Sequence, residues 1–213
     1  MPKCVWNGGI KDQRLKIENF QSQVCVCAAS TNLTCAKGRA EMGLKMNKNV
    51  FHKLSYGVYV VSTWDNGRPT GCTANSAMQI TSSPATIAVS VNHDNYTNKC
   101  IKETGRFAIS ILAEDSVPSI IGTFGFQSGK DADKFSEVEY RVADLMPVVT
   151  DSCGYIACEV IDSMETATHT VFLGEVKGAE AFGNREAMTY SYYHKVIKGK
   201  SPKNAPTYLP EAE

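Results

Sequence analysis

Between residues 51 and 182 short apolar runs alternate with clusters of turn-forming residues, the pattern of a mostly β protein. Residues 57–64 (Gly-Val-Tyr-Val-Val-Ser-Thr-Trp) are rich in β-branched and aromatic side chains and predict a strand. Residues 65–69 predict a turn, with Asn66-Gly67 supplying positive φ. A strand is expected to return through residues 71–78, but small polar residues stand where Val or Ile would be expected. Further strands are expected over 86–91 and 106–112, with Phe107, Ile109 and Ile111 on one face of the second. Two longer strands, 154–164 and 169–182, predict a hairpin. Helices are expected over 97–104, with Asn95 as N-cap and Gly105 just past the end, and over 116–124. In the latter Ser116 is the expected cap, Pro118 sits in the first turn, and Val117, Ile120, Ile121 and Phe124 form the stripe. A last helix is expected over 189–198 and an extended tail over 201–213, which holds three of the eight prolines. No repeat is visible. Many strands and few helices predict a mainly β chain, a closed or nearly closed antiparallel barrel with short helices.

Composition sets the limits of this picture. With 213 residues, 43% hydrophobic and 21% charged, the chain can bury a core. Its formal net charge is zero, which favours neither nucleic acid nor a membrane surface. The charge is unevenly spread. Residues 1–45 hold seven Lys/Arg against three Asp/Glu, or +4, and residues 46–213 hold 15 against 19, or −4. The first 45 residues also carry four of the eight cysteines and no sustained period. They read as a poorly ordered extension, or as sequence upstream of a translation start at Met46, ahead of a 46–213 domain. Cys25-x-Cys27 lacks the C-x₂-C spacing of common zinc knuckles, so no metal is expected. No apolar run approaches a membrane span and no secretory signal is seen, so reduced thiols in a cytoplasmic protein are expected.

Several standard sites are missing from the sequence. There is no G-x-G-x-x-G after a strand, no H-E-x-x-H and no G-x-S-x-G. Residues 125–131 (Gly-Phe-Gln-Ser-Gly-Lys-Asp) fall one residue short of a phosphate-binding P-loop. Polar residues gather instead at strand–loop junctions: Thr73, Asn75 and Ser76; Ser90 and Asn92; Asn95, Thr97 and Lys99; Lys130, Asp133 and Lys134. Such junctions converge at a barrel rim, where ligands bind. For Asn95 and Thr97 helix capping is the plainer reading, and for Lys130 and Lys134 a solvated loop.

The ordered set of segments resembles the flavin reductase-like family with the FMN-binding split-barrel fold, of antiparallel Greek-key type. The resemblance spans about residues 51–208. It rests on Gly-Val-Tyr-Val-Val-Ser-Thr, residues 71–76, Ser83-Pro84, Gly105-Arg106-Phe107, Asp133-Lys134-Phe135 and Thr168-His-Thr-Val-Phe-Leu-Gly-Glu-Val176. Residues 190–208 resemble flavoredoxins and the anaerobe-type members that precede a fused rubredoxin.

This resemblance implies FMN rather than FAD as cofactor and NAD(P)H as reductant. It implies a cofactor site formed by Thr73, Ala74, Asn75, Ser76, Ser90, Val91, Asn92, Asn95, Thr97 and Lys134. His169 would lie beside flavin and nicotinamide in an orienting role, since hydride transfer needs alignment more than proton transfer; a purely structural histidine is the alternative. His52, His93 and His194 read as surface or structural, and Cys72, Cys100, Cys153 and Cys158 as buried thiols. The implied activity is hydride transfer from NAD(P)H to flavin, with electrons passed to an acceptor such as a rubredoxin or a flavodiiron protein. The alternative is a flavoredoxin-type electron carrier that does not use NAD(P)H; a split barrel that has lost its cofactor is a third. A homodimer is implied, with Tyr190, Tyr192, Tyr193 and residues 202–208 expected across its two-fold axis.

Overall fold

A computed structural model describes residues 48–202 and 204–207. The expectations for residues 1–45 and for the end of the tail lie outside the described residues.

The first hairpin joins β1 (Tyr59–Asp65) to β2 (Arg68–Ala74), with Asp65 opposite Arg68. Its two turn residues, Asn66 and Gly67, both have positive φ (49° and 85°), as the Asn-Gly pair predicts. A second hairpin joins β3 (Ala77–Ser82) to β4 (Ala85–Asn92). Helix α1 (Tyr96–Thr104) then leads into β5 (Arg106–Ile111), ending on Gly105, whose N–H reaches the Ile101 carbonyl at 2.9 Å. Helix α2 (Ser119–Phe126) follows, then a short hairpin of β6 (Tyr140–Ala143) and β7 (Met146–Val149). The long hairpin of β8 (Gly154–Glu165) and β9 (His169–Ala181) precedes α3 (Tyr190–Lys195).

Seven strands form one sheet in the order β2-β1-β5-β8-β9-β4-β3. Its edge strands, β2 and β3, are consecutive in sequence and separated only by Asn75 and Ser76. Two residues can join opposite edges of a seven-stranded sheet only if the sheet curls until those edges meet. The barrel is therefore split between β2 and β3, not closed. Residues 71–78 are accordingly not one returning strand: they are the end of β2, the link across the split and the start of β3.

Inside the curl, Val61, Cys72, Val89, Phe107, Ile109 and Phe172 pack with Ile101 of α1. A second apolar layer lies outside β1, where Val58 and Val60 meet Ile120, Ile121 and Phe124 of α2 and Tyr190 and Tyr193 of α3. Burial on both faces explains the unbroken apolar run of β1. β5 is likewise buried on both faces: Phe107 and Ile109 point into the barrel, while Ala108 packs with Met146 and Val148 of β7.

Four expectations need correction. Asn95 makes no side-chain cap hydrogen bond, because its Oδ1 accepts from Asn204 instead. Ser116 does not cap α2: its Oγ accepts from Ala113 N–H and donates to the Asp151 carbonyl, Pro118 holds the cap position, and Val117 is exposed. Tyr190 and Tyr193 are buried in the core of their own chain, not left for a two-fold contact. Cys153 is only half-buried.

Candidate functional site

Where the barrel splits, the end of β2 meets the ends of β4 and β9. Antiparallel pairing sets Asn92 opposite His169 and Ser90 opposite Val171. Alternation along each strand then brings Ser90, Asn92 and His169 to one face. The cleft there is lined by Thr73, Ala74 and Asn75 from β2 and the link, by Ser90, Val91 and Asn92, by Asn95 and by His169. Its far wall is apolar: Val58, Ile121, Phe124 and Tyr190. Eight of the eleven expected residues thus meet in one cleft.

The other three are placed differently. Ser76 does not line the cleft; its Oγ donates to Asn75 Oδ1 at 2.8 Å, which fixes the direction of the Asn75 amide. Thr97 and Lys134 line a neighbouring cleft with Tyr96 at the start of α1 and with Gly125, Ser128 and Gly129. The stretch that falls short of a P-loop thus forms a wall of this second cleft. Cys72, Asn95, Gly125 and Asn204 border both clefts.

The floor of the first cleft holds unmet hydrogen-bonding capacity. Thr73 Oγ1 and His169 Nε2 are buried and have no partner. Orphaned buried polar atoms cost stability unless something binds them. His169 is held from several sides. Its Nδ1 pairs with Thr168 Oγ1 at 2.8 Å and its N–H donates to Thr166 Oγ1 at 3.0 Å. Glu165, just before it, accepts from His93, Lys102 and Thr170, tying the β8–β9 turn to α1. Burial lowers the His169 pKa below its ordinary value; the Asn204 backbone opposes this in part without completing a hydrogen bond to Nε2.

Lys134 is the electrostatic centre of the second cleft. It is 3% exposed, and its Nζ donates to the Gly71 and Phe124 carbonyls at 2.9 and 3.1 Å. Among the described residues no carboxylate pairs with it. Burial pushes its pKa below the ordinary lysine value, and burial raises that of the adjacent Cys72 thiol. A buried cation held only by carbonyl oxygens suits an anionic ligand group.

Residues 51–200 match the flavin reductase like domain. The chain belongs to that family. It is 39% identical to a ferric-chelate reductase (NAD(P)H) of Archaeoglobus fulgidus over 166 residues, covering 77% of this chain and 98% of that protein. It is also 39% identical to a high molecular weight rubredoxin of Moorella thermoacetica over 165 residues, covering 76% of this chain and 72% of the other. The solved Streptomyces globisporus NADH:FAD oxidoreductase superposes with a TM-score of 0.62 at 27% identity, over 67% of this chain and 85% of that one. Membership makes this protein a flavin reductase-like oxidoreductase, and its split barrel is the fold of such relatives.

Sequence reasoning missed the apolar wall and the tail. Asn204 and Ala205 enter the cleft together with Pro202 and Pro206. Prolines that mark an extended segment give no periodicity from which to place it.

Proposed function

We propose that the protein is an NAD(P)H-dependent flavin reductase whose flavin, FMN in preference to FAD, lies across the two clefts. The observation that carries this reading is the pair of orphaned atoms, Thr73 Oγ1 and His169 Nε2, on the floor of a cleft at the barrel split. Flavin, when bound, supplies the redox chemistry, accepting hydride from the nicotinamide and passing electrons on. Thr73, Asn75, Ser90 and Asn92 would hydrogen-bond the polar edge of the ring system, and Ile121, Phe124 and Tyr190 would exclude water from its other side. Lys134 and the start of α1 at Tyr96 and Thr97 would take the phosphate. His169, neutral at pH 7, would orient the reactants rather than move a proton. Anaerobic NADH or NADPH should bleach the FMN-loaded protein rapidly.

The likeness to a high molecular weight rubredoxin favours a second reading, an FMN electron carrier of flavoredoxin type served by another protein. A flavin reduced by a protein donor but not by NADH or NADPH would select it. In either case a rubredoxin or flavodiiron protein is a fitting acceptor.

A homodimer is also part of this proposal, through a different face from the tyrosines. Met78 pairs with Ala88, Ala88 with Leu173, and Met164 with Val171, so all lie on the face that carries Ser90 and His169. Met78 and Met164 are 65% and 61% exposed there. A second copy on this apolar face would cover the mouth of the cleft. Met78→Lys with Met164→Lys should yield a monomer by light scattering; a variant that remains dimeric would exclude this face.

A further inference from the structure

The chain's own residues 204–206 line the cleft, and Thr207 follows them onto Asn75. Asn75 Nδ2 donates to Thr207 Oγ1 at 3.0 Å, and Asn92 Nδ2 to the Asn204 carbonyl at 3.4 Å. The Asn204 amide donates to Asn95 Oδ1 at 3.2 Å. Thr207 in turn donates to the Tyr190 hydroxyl at 2.8 Å. Three of the amides expected to bind flavin are therefore bonded to this strap. With it in place, the cleft has space for only a few water molecules, far less than a three-ring isoalloxazine needs.

We infer that residues 204–207 are a strap that competes with flavin for Asn75, Asn92 and Asn95 and must be displaced for flavin to enter the cleft. This rests on the flavin reading above. Here the strap makes one hydrogen bond to each of the three amides, while the buried Thr73 Oγ1 and His169 Nε2 stay without partners. These bonds hold the strap against the cleft, and flavin must displace it to enter. Strap and flavin compete, so weakening the strap strengthens flavin binding.

The test uses the full chain and FMN. Hydrogen exchange of the Asn204, Ala205 and Thr207 amides should speed up when FMN is added. Exchange that slows or stays unchanged would overturn the strap, since a fixed wall of the site would be protected by its ligand. Asn204→Ala and Thr207→Ala should each bind FMN three- to tenfold more tightly by fluorescence titration; weaker or unchanged binding would contradict the inference. If the full chain binds no flavin but the strap variants do, the strap is supported in its strongest form. If none of them binds FMN or FAD, the flavin reading itself fails and the inference falls with it.

Discussion

The two clefts share a wall but differ in kind. The first is floored by neutral groups: Thr73, Asn75, Asn92 and His169, facing an apolar wall of Ile121 and Phe124. The second holds a buried ammonium and the start of a helix, facing a glycine-containing loop. Neutral amides and hydroxyls discriminate by hydrogen-bond direction, whereas a buried cation selects charge. The ligand proposed to span both would set a hydrogen-bonding ring system in one cleft and an anionic group in the other, as a flavin mononucleotide can. Removing one cleft's chemistry at a time should separate the two halves of that ligand.

The largest effect is expected at Lys134. Lys134→Met should weaken FMN by roughly tenfold to a hundredfold, the range of a charge-assisted hydrogen bond, yet leave riboflavin affinity nearly unchanged. Equal losses for FMN and riboflavin would break the division between the clefts. The melting temperature should also fall, because the Gly71 and Phe124 carbonyls lose their donor. On the neutral side, Asn75→Ala combined with Ser76→Ala should weaken FMN and riboflavin alike, by about tenfold. The effect is that of the Asn75 amide, which Ser76 only orients, and it is moderated because the same change loosens the competing strap at Thr207. A variant that loses FMN but keeps riboflavin would place the wrong half of the ligand on this floor.

The contrast explains what could be read in the sequence. Strands and hairpins were legible because their signals are local: Asn66-Gly67 for the first turn and apolar alternation for β5. The β6–β7 hairpin was not legible. Its turn residues Asp144 and Leu145 adopt positive φ (47° and 65°) without a glycine to announce it. Edge strand β3 was hidden as well, since most of it is exposed, its large apolar residues Met78 and Ile80 included. Thr73, Asn75, Ser90, Asn92 and Asn95 of the first cleft could be named because polar residues at strand ends break an apolar pattern, whereas Ala74, Val91 and His169 were named only through the family resemblance. Which residues face the cleft was not legible: Ser76 directly follows the cleft residue Asn75 and yet turns away to orient it. The strap is legible only in three dimensions, since Asn204 and Asn92 are 112 residues apart.

A smaller effect comes from acid. The folded pKa of His169 is lowered, so below the ordinary imidazole value of about 6.5 the unfolded chain takes up a proton that the folded chain refuses. The stability contributed by neutral His169 is present above that pH and is lost as pH falls toward the lowered folded value. Denaturant midpoints measured from pH 7.5 down to 5.5 should therefore fall more steeply for wild type than for His169→Gln. Parallel profiles would remove the buried, neutral imidazole from the account. The smallest effect is expected from residues 1–45. A chain beginning at Met46 should keep its FMN affinity and melting temperature, since residues 1–45 carry no sustained apolar period from which a packed element would form.

The central claim is that the cleft at the barrel split takes flavin and that nicotinamide nucleotide reduces it there. The direct measurement is an anaerobic titration of the full chain with FMN, followed by NADH or NADPH, read by absorbance at the flavin maximum. Saturation at one FMN per chain and rapid bleaching by the nucleotide is the expected result, with saturation lost in a Thr73→Val, Asn75→Ala variant that remains folded. A folded protein that binds neither FMN nor FAD, or a Thr73→Val, Asn75→Ala variant that binds FMN as wild type does, would contradict it.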